Sequence, residues 1–454
     1  MGAKDRRAPL DVAELVDFER GLVDRRIFTD PAIYQLELRN IFARVWNFVC
    51  HESQIPTPGR YFRNAIGNDS VIAVRDREGA VRVLLNTCPH RGNSVCRADE
   101  GVARSFFCSY HGWNFDLNGD LLGVPGYDDF YRGTLDKSQW GMASAAQVQS
   151  YNGFVFATLD SEAPPLEEFL GWVGRVGLDM LCARGEIEVV PGVQRNLIQC
   201  NWKLAVDNLF DWYHPKVSHA SAVRLNVLPE STLYPNDQMV LLGDYGHAIG
   251  GPGLSSENQA RLERQHDESA QTAGADGADG SRRHAHAWRL REDVRERMGP
   301  VGVRTRGHPN IFPNLWVASG GTQLCLRVPR GRGVTELQWY TFVEKDMTPA
   351  ERREVIQHAI HFFGPAGLLE QDDGENWSHS TRGAAGTAAG TRPLNFAMGA
   401  GLDAVRADGD QASIDTVVNE HGQRWTYQAW ADWLAAPDWP SLVANHTAPP
   451  TEVI

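Results

Sequence analysis

From Cys88 the chain reads CPHRGNSVCRADEGVARSFFCSYHGW, and nothing else in it restricts the possible fold as strongly. A Cys-x-His pair, Cys88 and His90, is followed by a Cys-x-x-His pair, Cys108 and His111. Each pair lies next to a short β-type run, so two ligand loops can project from one small sheet. Two thiolates and two imidazoles suit either a zinc ion or an unsymmetrical [2Fe-2S] centre. The local features favour the cluster. Each loop contributes one Cys and one His, and Gly92 and Gly112 follow the pairs where tight turns are needed. Imidazoles are neutral where thiolates are anionic, which raises the potential of such a centre. Cys96 fits neither pair and reads as structural. Cys50, Cys182, Cys200 and Cys325 read as small buried hydrophobes. Seven Cys, spread thinly, argue against a disulfide framework and for a reducing, cytoplasmic setting.

A second constellation lies in NWKLAVDNLFDWYHPKVSH, from Asn201. Asp207, Asn208, Asp211, His214 and His219 cluster on a segment expected to be mainly helical. The two His can converge on one metal if Pro215 distorts or ends the helix between them. With one distant carboxylate they would form a 2-His-1-carboxylate set, which leaves open positions on a non-haem Fe(II). Asp211, about one turn before His214, can accept a proton from the non-ligating nitrogen of a His. LLEQDDGENWSHS offers Glu370, Asp372, Asp373 and Glu375 as the distant acid. Composition does not choose among these four, and a charge run is usually a solvated face.

The 454 residues suffice for two or three domains, with 42 % hydrophobic residues to build their cores. Residues 11–48 read as largely helical. Short strands follow over 70–76, 81–86, 105–110 and 153–159, giving a small, mostly antiparallel β domain. A helix is expected after Pro164 and Pro165, then strands in IEVVPG, QRNLIQC, Met239–Gly243, Leu315–Ala318 and Gly333–Lys345. Further helices are expected from near Ala350 and around Thr426–Ala435. Residues 256–283 read as a polar, flexible surface insertion, and 381–393 as a loop. The net charge of −13 gives no reason to expect a nucleic-acid or membrane partner. There is no run of about 18 apolar residues, and MGAKDRRAPLDV lacks the apolar region of a secretory signal. No GxGxxG follows a strand and there is no P-loop, which speaks against direct NAD(P)H binding.

Taken with FARVWNFVCHESQIPTPGRY and FGPAGLLEQDDGENW, these stretches resemble the large (alpha) subunit of the Rieske non-haem iron aromatic-ring-hydroxylating dioxygenases. The resemblance implies an α+β fold, with an antiparallel β Rieske [2Fe-2S] domain inserted in a helix-grip-like (START-like) catalytic domain. The divisions would be 1–40, 41–163 and 164–454. It puts the cluster on Cys88, His90, Cys108 and His111, and the mononuclear Fe(II) on His214, His219 and Asp373. Asp211 would bridge two metal domains of neighbouring subunits, and Asn208 would stand beside the iron. Leu209, Phe363 and Leu369 would line the substrate cavity. Asp207 departs from the Glu common in relatives, which weakens any close substrate analogy. The implied partners are a small beta subunit, in an α3β3 assembly, and a ferredoxin and/or flavin reductase that uses NAD(P)H. The implied reaction is cis-dihydroxylation by O2 of an aromatic hydrocarbon or an aromatic acid such as phthalate. A Rieske monooxygenase, such as a salicylate-type hydroxylase or O-demethylase, is the nearest alternative. An electron-transfer protein would not need the second constellation.

Overall fold

The computed structural model describes residues 11–225, 238–254, 264, 287–318 and 322–454. The expected insertion at 256–283 lies, apart from residue 264, outside the described residues.

The β domain is built from three small antiparallel sheets. One runs Val81–Leu85, Asp69–Arg75, Arg60–Ile66, Glu100–Val102. A second joins Gln147–Tyr151, Phe154–Thr158 and Asn47–His51, and its last two strands are buried at every position. The third, Leu121–Gly123, Asn114–Phe115 and Phe106–Phe107, flanks the second Cys-x-x-His pair.

The larger domain is organised by an antiparallel ten-stranded sheet. Its order is Ile187–Val189, Val334–Glu344, Gln323–Gly331, Leu315–Ala318, His308–Ile311, Ala248–Pro252, Gln238–Leu242, Gln411–Thr416, Val405–Asp408. The strand Gln194–Ile198 also pairs with Val334–Glu344. Alternation gives the sheet two faces. Pro309 and Ile311 meet Gly177 of the Leu166–Cys182 helix. On the other face, Gly250 meets Phe210 and Ile198 meets Gly374, so residues 202–213 and the Leu368–Ala384 helix cover that side. The β domain docks through Tyr340, which packs edge-on against Phe48 and accepts a hydrogen bond from Asn64 at 3.1 Å.

Several sequence expectations need correction. Residues 11–48 are helical only within 26–42, apart from a single turn at Val12–Glu14. Before that, Val16–Asp17 and Leu22–Val23 form a hairpin that pairs with Leu394–Asn395. The stretch 201–219 is not one helix. Asn201 caps a short helix, Trp202–Asp207, and Pro215 opens another, Pro215–Ser218. Proline suits that first position, where its missing N–H is not needed. The acid run at 370–375 lies inside the Leu368–Ala384 helix, which also takes in the start of the expected 381–393 loop. Among the described residues no helix is long and apolar enough to cross a membrane.

Candidate metal centres

The two Cys/His loops share one construction. In the first, Cys88 N–H donates to Asn93 O at 2.9 Å and Gly92 N–H to Cys88 O at 2.8 Å. In the second, Cys108 N–H donates to Trp113 O at 2.8 Å and Gly112 N–H to Cys108 O at 3.0 Å. Gly92 at φ +71° and Gly112 at φ +75° take the left-handed turns this closure requires. The loops face each other: the His90 and His111 rings lie 4.6 Å apart, and His90 stacks on Trp113. Both sulfurs are buried and neither is in a disulfide. Burial opposes ionisation of Cys108, but N–H groups of Tyr110 and His111 and the Asn93 amide hold its thiol below the ordinary value.

These residues fit a two-iron cluster better than one ion. A single tetrahedral zinc, with ligands about 2.0–2.3 Å away, would hold its donors within roughly 4 Å of one another. No three of these four donors come within 4.8 Å of one another. His90 Nδ1 is buried without a hydrogen-bond partner, as a nitrogen meant for a metal would be.

The second constellation does converge. Among the described residues, His214, His219 and Asp373 alone bring three donor atoms within 4.8 Å. The two Nε2 atoms lie 3.2 Å apart, and Asp373 Oδ1 is 3.5 Å from His214 Nε2 and 3.4 Å from His219 Nε2. Such a triangle has the size of one face of a metal's coordination shell and fits a 2-His-1-carboxylate iron. Each imidazole is oriented through its other nitrogen. His214 Nδ1 lies 2.5 Å from Asp211 Oδ1, and His219 Nδ1 lies 3.3 Å from Asp372 Oδ2. Burial pulls the His214 pKa down, but the Asp211 hydrogen bond and the charges of Asp211 and Asp373 raise it to about 9.

Asn208 ends the Trp202–Asp207 helix and is half-buried. Asp207 is held by the Tyr427 hydroxyl at 2.5 Å, and burial keeps its carboxyl well above the usual range. Leu209 and Leu369 are buried, Leu369 one turn before Asp373. Phe363 stacks on Trp339 at 4.9 Å and meets Trp316 edge-on at 5.0 Å. Of the other acids, Glu375 is exposed and pairs with His379. Glu370 is buried and accepts from Gly364 N–H and Asn196, and burial raises its pKa to about 7. Sequence reasoning missed His308, which packs between Trp212 and Trp316. It is a lone His on a strand and offers no spacing signal.

Comparison with known proteins covers both halves. Residues 45–150 match the Rieske [2Fe-2S] domain, and residues 174–436 match the ring hydroxylating alpha subunit (catalytic domain). The chain is 35 % identical to the biphenyl 2,3-dioxygenase subunit alpha of Rhodococcus jostii (strain RHA1), over 98 % of this chain and 96 % of that protein. It is 32 % identical to the benzene 1,2-dioxygenase subunit alpha of Pseudomonas putida, over 96 % of each. A solved structure of naphthalene 1,2-dioxygenase with indole in the active site superposes with a TM-score of 0.82 and 30 % identity, covering 95 % of this chain and 96 % of that one.

Proposed function

Because the chain belongs to the alpha-subunit family of the Rieske aromatic-ring-hydroxylating dioxygenases, we propose that it cis-dihydroxylates an aromatic ring at His214, His219 and Asp373. The observation that carries this reading is the triangle of donors, 3.2 to 3.5 Å on a side. His214, His219 and Asp373 would hold the mononuclear iron, and Cys88, His90, Cys108 and His111 the cluster. When bound, the cluster relays electrons and the iron activates O2. In the overall reaction one O2, two electrons and two protons add across one ring double bond to give a cis-dihydrodiol.

The protein's own residues supply position and dryness. Asp211 and Asp372 fix the rings of His214 and His219 with their Nε2 atoms turned to a common point. Leu209 and Leu369, with the packed Phe363, Trp316 and Trp339 rings, would form an apolar boundary suited to a flat ring. Asn208 stands at the head of the loop that leads to Asp211 and the two His. Phe107 and Tyr110 beside the cluster loops are 61 % and 57 % exposed, as a face that meets another subunit would be. From the family we infer an α3β3 assembly with a small beta subunit. Asp211 would connect its iron site to the cluster domain of a neighbouring subunit, and a ferredoxin or reductase would supply the electrons.

The test is electron paramagnetic resonance on dithionite-reduced protein, with iron and acid-labile sulfide counted, followed by turnover under 18O2. A Rieske signal, about three iron and two sulfide per chain, and two labelled oxygens in one dihydrodiol are expected. Zinc without sulfide, or a single labelled oxygen in a phenol, would overturn the reading.

A further inference from the structure

Arg327 lies on the strand Gln323–Gly331 and is 1 % exposed. Strand pairing fixes its direction. Arg327 stands opposite Leu337, and Leu337 opposite Asn196; two residues away, Cys325 stands opposite Trp316 and Trp339. Opposed residues share a face, as do residues two apart along a strand. Arg327, Trp316, Trp339 and Asn196 therefore look the same way. The Leu368–Ala384 helix lies on that side, since Asn196 donates to Glu370 and Gly374 abuts Ile198. The guanidinium thus shares its side of the sheet with the helix that carries Asp373. It lies 4.7 Å from the Trp316 ring centre, and Trp316 in turn touches Phe363 and His308, each at 5.0 Å.

No carboxylate pairs directly with the cation, although the charges of Glu370 and Asp373 act on it. Nε and Nη1 are buried without a hydrogen-bond partner, and among the described residues no carboxylate lies within 4.0 Å. Glu370 does not pair with it, since its two oxygens accept from Gly364 N–H and Asn196. Other polar atoms on the same face are also unpartnered: both side-chain atoms of Gln323, Trp316 Nε1 and Asn310 Oδ1. A buried, unpaired guanidinium is strongly unfavourable, and its planar fork is matched to a carboxylate. A hydrocarbon ring in the site would leave Nε and Nη1 unpartnered.

We propose that the substrate is an aromatic ring bearing a carboxylate, and that Arg327 receives that carboxylate from the sheet side of the Trp316–Trp339–Phe363 wall. The proposal rests on the oxygenase reading above and narrows its substrate class, away from the hydrocarbons for which the relatives are named. Arg327 is then a specificity residue that takes no part in the oxygen chemistry.

The test is calorimetric binding to the holoenzyme of an isosteric pair, 2-naphthoate and 2-naphthamide. The carboxylate should bind at least about tenfold more tightly, the range of a charge-assisted hydrogen-bonded pair. Arg327→Met should remove the preference, and Arg327→Lys should keep part of it. Near-ultraviolet circular dichroism and the cluster spectrum report whether each variant folds. Equal affinities in the unaltered enzyme, or a preference that survives Arg327→Met, overturn the proposal; the first comparison needs no variant. Because binding is read without turnover, failure of the parent reading is separate. An iron-replete enzyme with its reductase that oxidises neither naphthalene nor 2-naphthoate removes the oxygenase reading, whatever the binding shows.

Discussion

His214 is governed by its carboxylate neighbours. With Asp211 on Nδ1 and Asp373 facing Nε2, the metal-free ring has a pKa of about 9, so at pH 7 it carries a proton that iron must displace. Iron affinity should therefore rise with pH, by about tenfold per unit below that value. Fe(II) titrations of the apoprotein at pH 6.5, 7.5 and 8.5 would show this, and a flat affinity would contradict it. Asp211→Asn should keep the cluster signal and lower turnover by about 10- to 100-fold, the range for removing a carboxylate behind a ligand. Single-turnover rates on iron-counted protein would separate that from simple metal loss. At this scale the Cys and His donors were legible, because residue type and spacing carry the chemistry. The acid was not legible from composition. Neighbouring helical residues point about 100° apart, which turns Asp372 to the back of His219 and Asp373 to the front of both rings. Four acids in six positions look alike until the helix is rotated into place.

The Leu368–Ala384 helix sets that rotation by packing on the strand Gln194–Ile198, where a Cβ on Gly374 would lie 3.0 Å from Ile198 Cδ1. Gly374→Val should lift the helix and withdraw Asp373. Iron should fall from about three to about two per chain while the Rieske signal persists; unchanged iron would mean the helix tolerates the side chain. Phe363 closes the wall from the loop before this helix, stacked on Trp339. Phe363→Val should shift the ratio of dihydrodiol isomers from a bulky arene without lowering iron content, and an unchanged product distribution counts against it. The longer elements were visible in the sequence because their apolar periodicity runs over many residues. The hairpin at Val16–Val23 was not. Its strands are two residues each and are stabilised by Leu394–Asn395, from the far end of the chain. The break after Asp207 was missed because 201–219 has helix-compatible residues throughout, and Pro215 reads equally as a stop or a start.

The whole molecule encloses imidazoles that stay neutral. Burial lowers the pKa of both His51 and His247 to about 4, from an ordinary 6.5. His247 accepts from Phe312 N–H at 3.0 Å and donates to Phe169 O at 2.8 Å, so charging it breaks a link between sheet and helix. The unfolded chain takes up these protons first. The stability these two rings contribute is therefore complete above pH 6.5 and declines as pH falls toward 4, by up to about 1.4 kcal/mol per ring per unit. Urea midpoints at pH 7, 6 and 5 should fall in turn; a constant midpoint would refute it. By itself, the sequence determined the two donor sets, the β domain and the family, since these depend on residue type, short spacing and local periodicity. The family resemblance picks Asp373 among the four acids; only the tertiary structure shows how it faces both rings and decides what surrounds Arg327. His219 and Asp372 lie 153 positions apart, and only the closed sheet with its covering helix brings them within 3.3 Å. The same closure buries Arg327 against Trp316 with two of its nitrogens unpartnered, because which groups meet across a sheet depends on strand order and register, and strands distant in sequence set both.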